Sequence, residues 1–150
     1  MIILSKLADY GVIVATHLAV NPERQLTAAA LADEVQLPRA TVAKILKSLA
    51  HAGLVAATRG AMGGYRLARA ANSISVAEVV AAIDGDIGLT QCSVHVADCT
   101  RTDYCPTRPH WTAINRAVEQ ALAAVSLDAM LTPAAFVPRR PAVIAQPAAN

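Results

Sequence analysis

The stretch LPRATVAKILKSLAHAGLVAATRGAMGGYRLAR, residues 37–69, determines the fold of this chain. Pro38 suits the first turn of a helix, and Gly53 ends that helix. Between them, four apolar residues recur at the spacing of one buried helix face: Val42, Ile45, Leu46 and Leu49. A shorter helix precedes it, because Thr27 can cap a segment in which Leu31 and Val35 share a face. The linker of about three or four residues between the two helices is typical of a helix-turn-helix.

The second half of the same stretch predicts a small β-hairpin. Two short apolar segments, residues 54–58 and 65–68, flank Gly60, Gly63 and Gly64. Glycine supplies the positive φ values that a tight reversal needs. A helix-turn-helix followed directly by a basic hairpin is the arrangement of a winged helix.

The rest of the chain adds helices around this unit. Ser5 can cap an opening helix of roughly residues 6–19, and Ser75 with Glu78 forms a capping box for a helix over 76–83. A last helix is expected over 109–124. The predicted fold class is therefore mainly α with a small β-hairpin: a winged helix-turn-helix plus a long C-terminal helix. The expected division is a winged-helix domain over 1–84, a cysteine-rich loop over 85–108, a C-terminal helical segment over 109–131 and a disordered tail over 132–150.

The last predicted helix carries a narrow apolar seam at heptad-like spacing. Its residues are Trp111, Ile114, Val118, Ala121 and Val125. The opposite face carries Asn115, Arg116, Glu119 and Gln120. So narrow a stripe needs a partner, either the helix's own domain or a second copy of the chain. A homodimer interface is favoured, because winged-helix readers usually bind two half-sites.

The distribution of charge predicts a DNA-binding face. The net charge is only +2, but residues 35–77 contain six Lys or Arg and no acid. The third helix would enter the major groove and the hairpin would approach the minor groove. The expected DNA-binding residues are Pro38, Arg39, Thr41, Lys44, Lys47, Arg59, Gly60, Gly63, Gly64 and Tyr65. For Arg66 and Arg69, ordinary strand-edge charge is nearly as good an interpretation as DNA contact.

Composition and the absence of catalytic motifs argue against a membrane protein, a secreted protein and an enzyme. The chain is 55% hydrophobic and 3% aromatic, with no apolar run of 18 or more residues. The apolar start contains Lys6, Asp9 and His17 and has no small-residue cleavage site, so we expect a cytoplasmic chain in which disulfides are rare. No nucleophile–base pair, phosphate-binding loop or paired carboxylates appear, so neither an enzyme nor a small-molecule substrate is expected.

All three cysteines lie in one polar segment. Cys92, Cys99 and Cys105 are separated by six and five residues, wider than the paired knuckles of common structural zinc sites. Unrelated thiols would more often lie in an apolar core. Three thiolates in a reducing compartment suit zinc or an iron–sulfur cluster, and the spacing does not discriminate between the two. The fourth ligand position stays open, with His110 five residues after Cys105.

With these pieces together, the sequence resembles the IscR/NsrR family of bacterial winged-helix iron–sulfur transcription regulators. Within that family it is most similar to the regulators of SUF iron–sulfur assembly operons. The matching segments are SKLADYG at the start, the RG-x-x-GGY-x-L hairpin, SVAEVVAAIDG, the three cysteines and the HW that begins the last helix. They extend over residues 4–131.

The resemblance implies a homodimer on a partly palindromic operator and a 2Fe–2S or 4Fe–4S cluster held by three cysteines and one other group. In IscR-like members that group is a histidine three residues after the third cysteine, where this chain has Arg108. In NsrR-like members it is an aspartate of the first helix, and Asp9 matches that position. Asp9 and His110 are thus the two candidates for the fourth ligand, and Asp9 is preferred.

The resulting prediction is a cluster-dependent regulator, a repressor of iron–sulfur assembly genes that senses cluster, iron or redox status. Three alternatives remain at this point. One is a nitric-oxide-responsive iron–sulfur repressor, which Asp9 would favour. Another is a constitutive DNA-binding protein whose zinc is purely structural. The third is an electron carrier with a vestigial winged helix.

Overall fold

The computed structural model describes residues 4–60, 63–90 and 104–132. The chain begins with three helices: α1 (Lys6–Val20), α2 (Ala28–Val35) and α3 (Arg39–His51). The predicted caps are confirmed, since Ser5 Oγ accepts from the Ala8 N–H at 3.0 Å and Thr27 Oγ1 from the Ala30 N–H at 3.1 Å. Each satisfies a donor that the first turn would otherwise leave without a partner.

The turn between α2 and α3 is the tight connection of a helix-turn-helix. It consists of residues 36–38, and Gln36 adopts left-handed backbone angles, with φ 55° and ψ 41°. The N–H of Leu37 donates to the carbonyl of Ala32 at 3.0 Å, which closes the end of α2. The sequence prediction of a linker of three or four residues is confirmed.

The hairpin is also confirmed, with β1 (Val55–Thr58) antiparallel to β2 (Gly64–Leu67). A segment that the sequence did not assign supports it. Leu26 donates from its N–H to the Tyr65 carbonyl at 3.1 Å and accepts from the Tyr65 N–H at 2.8 Å. This one-residue bridge ties β2 to the chain that precedes α2.

The C-terminal half contains a short 3-10 helix (Ala71–Ser73), α4 (Val76–Asp84), α5 (Arg108–Ala123) and α6 (Leu127–Leu131). Both hydrogen bonds of the predicted capping box are present in α4: Ser75 N–H to Glu78 Oε2 at 2.8 Å and Glu78 N–H to Ser75 Oγ at 3.3 Å. The last long helix starts and ends one residue earlier than predicted, a shift within the usual fraying of helix ends.

Helix α6 was not predicted, because five residues are too few to show a periodic pattern. It is nevertheless part of the core. Leu127 is fully buried, and its N–H donates to the Ile74 carbonyl at 2.9 Å. The Val76 N–H in turn donates to the Val125 carbonyl at 2.9 Å. These bonds attach the chain after α5 to the beginning of α4.

One core joins α1, α2, α3, the hairpin, α4 and α6. Its fully buried larger side chains are Val14, Leu31, Val42, Ile45, Leu46, Leu49, Ile74, Val79 and Leu127. The four residues assigned to the buried face of α3 are therefore all confirmed. Gly11 is buried where α1 crosses α4, and an added Cβ would lie 2.0 Å from Ile83 Cδ1. The small residue allows the two helices to approach closely.

One assignment on α5 is corrected by the structure. The sequence grouped Asn115 with the polar face opposite the apolar seam, but Asn115 is buried, at 5% exposure. Its Nδ2 donates to the Ile87 carbonyl at 2.9 Å, and its Oδ1 accepts from the Leu89 N–H at 3.0 Å. These backbone groups belong to the segment after α4, so α5 packs on its own domain through this amide.

Two predicted regions lie largely outside the described residues. They are the cysteine-rich loop, of which residues 91–103 with Cys92 and Cys99 fall outside, and the tail, of which residues 133–150 fall outside. Within the residues that are described, no helix is long and apolar enough to cross a membrane.

Candidate nucleic-acid interface and metal ligands

The residues expected at base edges lie at the start of α3. Pro38 occupies the N-cap position and Arg39 the first helical residue, and both are exposed. Thr41 is half-buried one position beyond Ala40. Because Val42, Ile45 and Leu46 anchor the other side of α3 in the core, these residues are held on its outer surface.

Four exposed cations lie on α3 and the hairpin. Lys44 and Lys47 lie on α3, Arg59 follows β1, and Arg66 lies on β2. In residues 4–60, 63–90 and 104–132, none of the four takes part in a salt bridge. Their charge is therefore available to an external anion, and a duplex phosphate backbone is the anion that such a face fits.

The glycines of the hairpin fill different roles. Gly60 is exposed, has φ +111° and would meet nothing if a Cβ were added, so only its backbone conformation requires glycine. At Gly63 a Cβ would lie 2.2 Å from the Thr58 carbonyl oxygen. At Gly64, which is buried, it would lie 2.9 Å from the Leu26 carbonyl. Gly63 and Gly64 thus allow backbone segments to touch and shape the hairpin from inside.

Three other arginines are engaged with carboxylates. Arg69 contacts Glu78 at 2.5 Å and also donates to the Ser73 carbonyl at 2.7 Å. Arg69 lies beyond the end of β2 and pairs with α4, so it differs from the strand-edge charge that the sequence left open. Arg24 contacts Glu34 at 2.7 Å, and Arg39 contacts Asp33 at 2.9 Å.

The Glu34 carboxylate contacts two side chains, one on α1 and one in the segment between α1 and α2. Its Oε2 lies 2.7 Å from His17 Nε2 on α1, and its Oε1 accepts from Arg24. The hydrogen bond with His17, followed by that with Arg24, lowers the pKa of Glu34 below its ordinary 4.5. The contact between His17 and Glu34 therefore links α1 to α2.

The metal-ligand candidates are only partly within the described residues. Cys105 is half-buried just before α5, and its Sγ lies 3.3 Å from Thr107 Oγ1. His110 is exposed in the first turn of α5, and Asp9 is exposed on α1. Among the described residues no three His, Cys, Asp or Glu side chains converge on one point, and Cys92 and Cys99 are not among them. The donor set itself suits a soft metal centre, since it contains three thiols in a polar segment.

The apolar seam of α5 divides between two environments. Val125 packs against Ala8, Val76 and Val80 in a small second core. Trp111 and Ile114 are instead 39% and 45% exposed, and Ala121 is exposed as well. This part of the seam, with Trp111, Ile114 and Ala121, is thus left uncovered by the residues that the structure describes.

Asp33 is a residue of this face that the sequence pattern did not indicate. The basic segment without acidic residues begins at Val35, so Asp33 and Glu34 lie just before it. Folding of the helix-turn-helix returns Asp33 to the start of α3, where it pairs with Arg39. The sequence feature that could have indicated this pair is the separation of six positions between Asp33 and Arg39, on either side of a short turn between two helices.

The fold and the basic face define the class: this is a winged helix-turn-helix protein of the kind that binds DNA. The model of the Rrf2 family, described as iron-dependent transcriptional regulators, matches residues 4–133. The chain belongs to the Rrf2 family.

Individual relatives agree with this placement. The HTH-type transcriptional regulator IscR of Vibrio parahaemolyticus is 30% identical over 119 residues, which cover 79% of this chain and 68% of the relative. The solved structure of IscR from T. potens aligns with a TM-score of 0.68 and 26% identity, over 87% of this chain and 86% of that one. CymR, the global cysteine regulator of B. subtilis, shares the fold, with a TM-score of 0.67 at 24% identity over 89% of this chain and 100% of its own. The relatives are transcription regulators rather than enzymes, and this chain is a helix-turn-helix transcriptional regulator of the same family.

Proposed function

We propose that this protein binds a double-stranded operator through α3 and the hairpin. Arg39, with Pro38 and Thr41 beside it, would face the base edges, while Lys44 and Lys47 would meet phosphates. Arg59 and Gly60 would lie at the minor groove, with Gly63, Gly64 and Tyr65 holding the hairpin in shape. The observation that carries this proposal is the presence of four exposed cations on α3 and the hairpin that form no salt bridge within the described residues.

The active form in this proposal is a homodimer in the cytoplasm. The uncovered part of the α5 seam, with Trp111, Ile114 and Ala121, would pack against the same surface of a second chain. Two copies would present two copies of α3 to an operator with two half-sites. Val118, which is half-buried, and Val125 complete the seam at its inner end.

The regulating group in this proposal is an iron–sulfur cluster, 2Fe–2S or 4Fe–4S, held by Cys92, Cys99 and Cys105. The family description, iron-dependent transcriptional regulator, supports it, as does the clustering of every cysteine in one polar segment. Asp9 or His110 would supply the remaining ligand, since both are exposed and able to bind. Gain or loss of the cluster would shift the equilibrium between DNA-binding and non-binding arrangements.

The regulated genes would be those of iron–sulfur assembly, with the protein acting as their repressor. One support is the similarity to IscR, and another is the resemblance of several sequence segments to those of SUF regulators. Negative feedback of this kind requires a repressor whose own cluster occupancy follows the availability of iron–sulfur clusters in the cell. Iron starvation or oxidants would remove the cluster and change transcription.

The decisive experiment is anaerobic purification followed by an absorption spectrum, iron and sulfide analysis, and operator binding before and after removal of the cluster. We expect a coloured protein whose operator affinity changes when the cluster is lost. Cys105→Ser should abolish the colour, and comparison of Asp9→Ala with His110→Ala should identify the fourth ligand. A colourless protein with stoichiometric zinc, or equal operator affinity in both states, would contradict cluster control.

A second candidate is a repressor that responds to nitric oxide, favoured by the exposed Asp9 on α1. The two candidates differ in their signal. Exposure of the purified protein to nitric oxide should release the operator if this second function is correct. Iron limitation in cells should induce the target genes if the first is correct.

A further inference from the structure

We propose that Asp33 is a specificity-determining residue that positions the Arg39 guanidinium for base reading. The inference rests on the proposed DNA-binding function and concerns a residue of α2 that lies outside the basic segment. Asp33 Oδ2 and Oδ1 lie 2.9 and 3.2 Å from Arg39 Nη2. The contact joins α2 to the first residue of α3 across the turn at 36–38.

Stability does not account for this pair. The side chains of Arg39 and Asp33 are 68% and 63% exposed, and ion pairs between such groups contribute little to the free energy of folding. The pair instead restricts a long side chain with many rotamers to one direction before DNA arrives. Because the Arg39 side chain is already ordered, less conformational entropy is lost when it binds DNA, and the affinity is correspondingly higher.

The geometry leaves the reading edge of Arg39 available. Both contacts with Asp33 use Nη2, and in the described residues neither Nη1 nor Nε of Arg39 forms a hydrogen bond. A guanine accepts two parallel N–H groups at O6 and N7. Nη2 carries two hydrogens, so one can stay on Asp33 while the other forms such a pair with the neighbouring N–H of Nη1 or Nε.

The charge of Asp33 has a second consequence. A carboxylate beside Arg39 repels the phosphates of any duplex and competes for the arginine. It therefore weakens binding to random DNA, where Arg39 would otherwise contact a phosphate. Asp33 should lower non-specific affinity and raise the discrimination between bases.

The experiment begins with selection of a binding site from a random duplex pool by the full-length, anaerobically purified wild type. Each guanine of that site is then replaced in turn, and affinities are measured for the wild type, Arg39→Ala, Asp33→Asn and Asp33→Glu. Glu34→Gln is the control, because it removes the same charge from the next residue of α2 without touching Arg39.

We expect the wild type to prefer guanine at one position by about tenfold or more, the range of a good bidentate contact. Arg39→Ala should remove that preference, and Asp33→Asn should reduce it to about threefold or less while increasing affinity for random duplex. Because Arg39 is then free to contact a phosphate, the slope of log affinity against log salt should steepen by about 0.9. Asp33→Glu should retain part of the preference, and Glu34→Gln all of it.

The possible failures are distinguishable. If Arg39→Ala abolishes a guanine preference that Asp33→Asn leaves at full strength, the positioning role of Asp33 is wrong while DNA reading by α3 stands. If Arg39→Ala changes no preference at any position, base reading by Arg39 itself is wrong. Thermal unfolding of each variant excludes a folding defect, and Asp33→Glu provides a second test if Asp33→Asn unfolds.

Discussion

At the scale of single residues, Asn115 connects the C-terminal helix to the segment that leads toward the cysteines. Its amide satisfies the Ile87 carbonyl and the Leu89 N–H, and Nδ2 also donates to Glu119 at 2.6 Å. A buried polar side chain is stable only when such partners are present. The residue therefore positions the segment after α4 against α5.

Replacement of Asn115 by Ala should destabilise the protein by about 1–3 kcal/mol, because two backbone groups lose their partner in a poorly hydrated site. Urea unfolding measures this loss. Amide hydrogen exchange should also accelerate in residues 85–90. Asn72→Ala is the matched control, since Asn72 is exposed and no change is expected there. Unaltered exchange in 85–90 of Asn115→Ala would show that the amide does not hold this segment.

Gly11 offers a second test at this scale. Alanine would favour helix α1 by up to about 1 kcal/mol, but its Cβ would meet Ile83 Cδ1, and overpacking costs about 1–3 kcal/mol. We expect Gly11→Ala to be destabilising alone and neutral or stabilising in an Ile83→Val background, which lacks Cδ1. Thermal or urea unfolding of the four members of the double-mutant cycle gives the coupling. Additive effects would contradict the contact.

At the scale of elements, the start of α4 is held by a cluster that combines a cap and an ion pair. Ser75, Glu78 and Arg69 connect the end of the hairpin, the 3-10 helix and α4. The Arg69 hydrogen bond and the Ser75 N–H, in that order, lower the pKa of Glu78 below its ordinary 4.5. A carboxyl whose pKa falls on folding stabilises the native state above its unfolded pKa and loses this contribution as pH falls through the folded value.

We therefore expect the free energy of unfolding to fall as the pH drops below about 4.5, with a smaller fall in Glu78→Gln than in the wild type. The difference should be modest, because the Glu78 side chain is 41% exposed. Urea titrations at a series of pH values measure it. Parallel curves for the two proteins in this acid range would show that Glu78 does not contribute.

At the scale of the whole molecule, α5 has an apolar face that the other described residues leave partly exposed to solvent. One side carries buried Asn115, which bonds the segment after α4, and half-buried Leu122, which packs against the small second core that includes Val76 and Val80 of α4. The neighbouring side carries Trp111 and Ile114, both substantially exposed. Large apolar side chains grouped on one helix face are typical of a surface that another protein covers.

If that surface is the homodimer interface, the wild type should sediment at about twice its chain mass of 15.6 kDa. Ile114→Glu should produce monomers, because a charge in an apolar contact is not compensated. Gln120→Glu, which adds the same charge on the far side of α5, should stay dimeric. A wild-type monomer, or a dimeric Ile114→Glu, would contradict this interface.

The sequence by itself determined the winged helix, because the relevant signals are local. A helix needs a cap and a repeating apolar face, and Ser5, Thr27 and Ser75 each supply the cap that the structure shows. A hairpin needs glycines between two short apolar runs. For the cysteines, their spacing and polar surroundings predict a metal centre, and this stays a prediction because Cys92 and Cys99 lie outside the described residues.

Only the tertiary structure decided which partners distant residues take. No periodic pattern indicates that Asn115 serves backbone groups 26 and 28 positions earlier, or that Leu127 completes the core against Ile74. The pairing of Asp33 with Arg39 follows from the left-handed turn at Gln36, which brings the two helices together. Contacts of this kind depend on how elements pack in space, and packing is a property of the folded chain rather than of any segment of it.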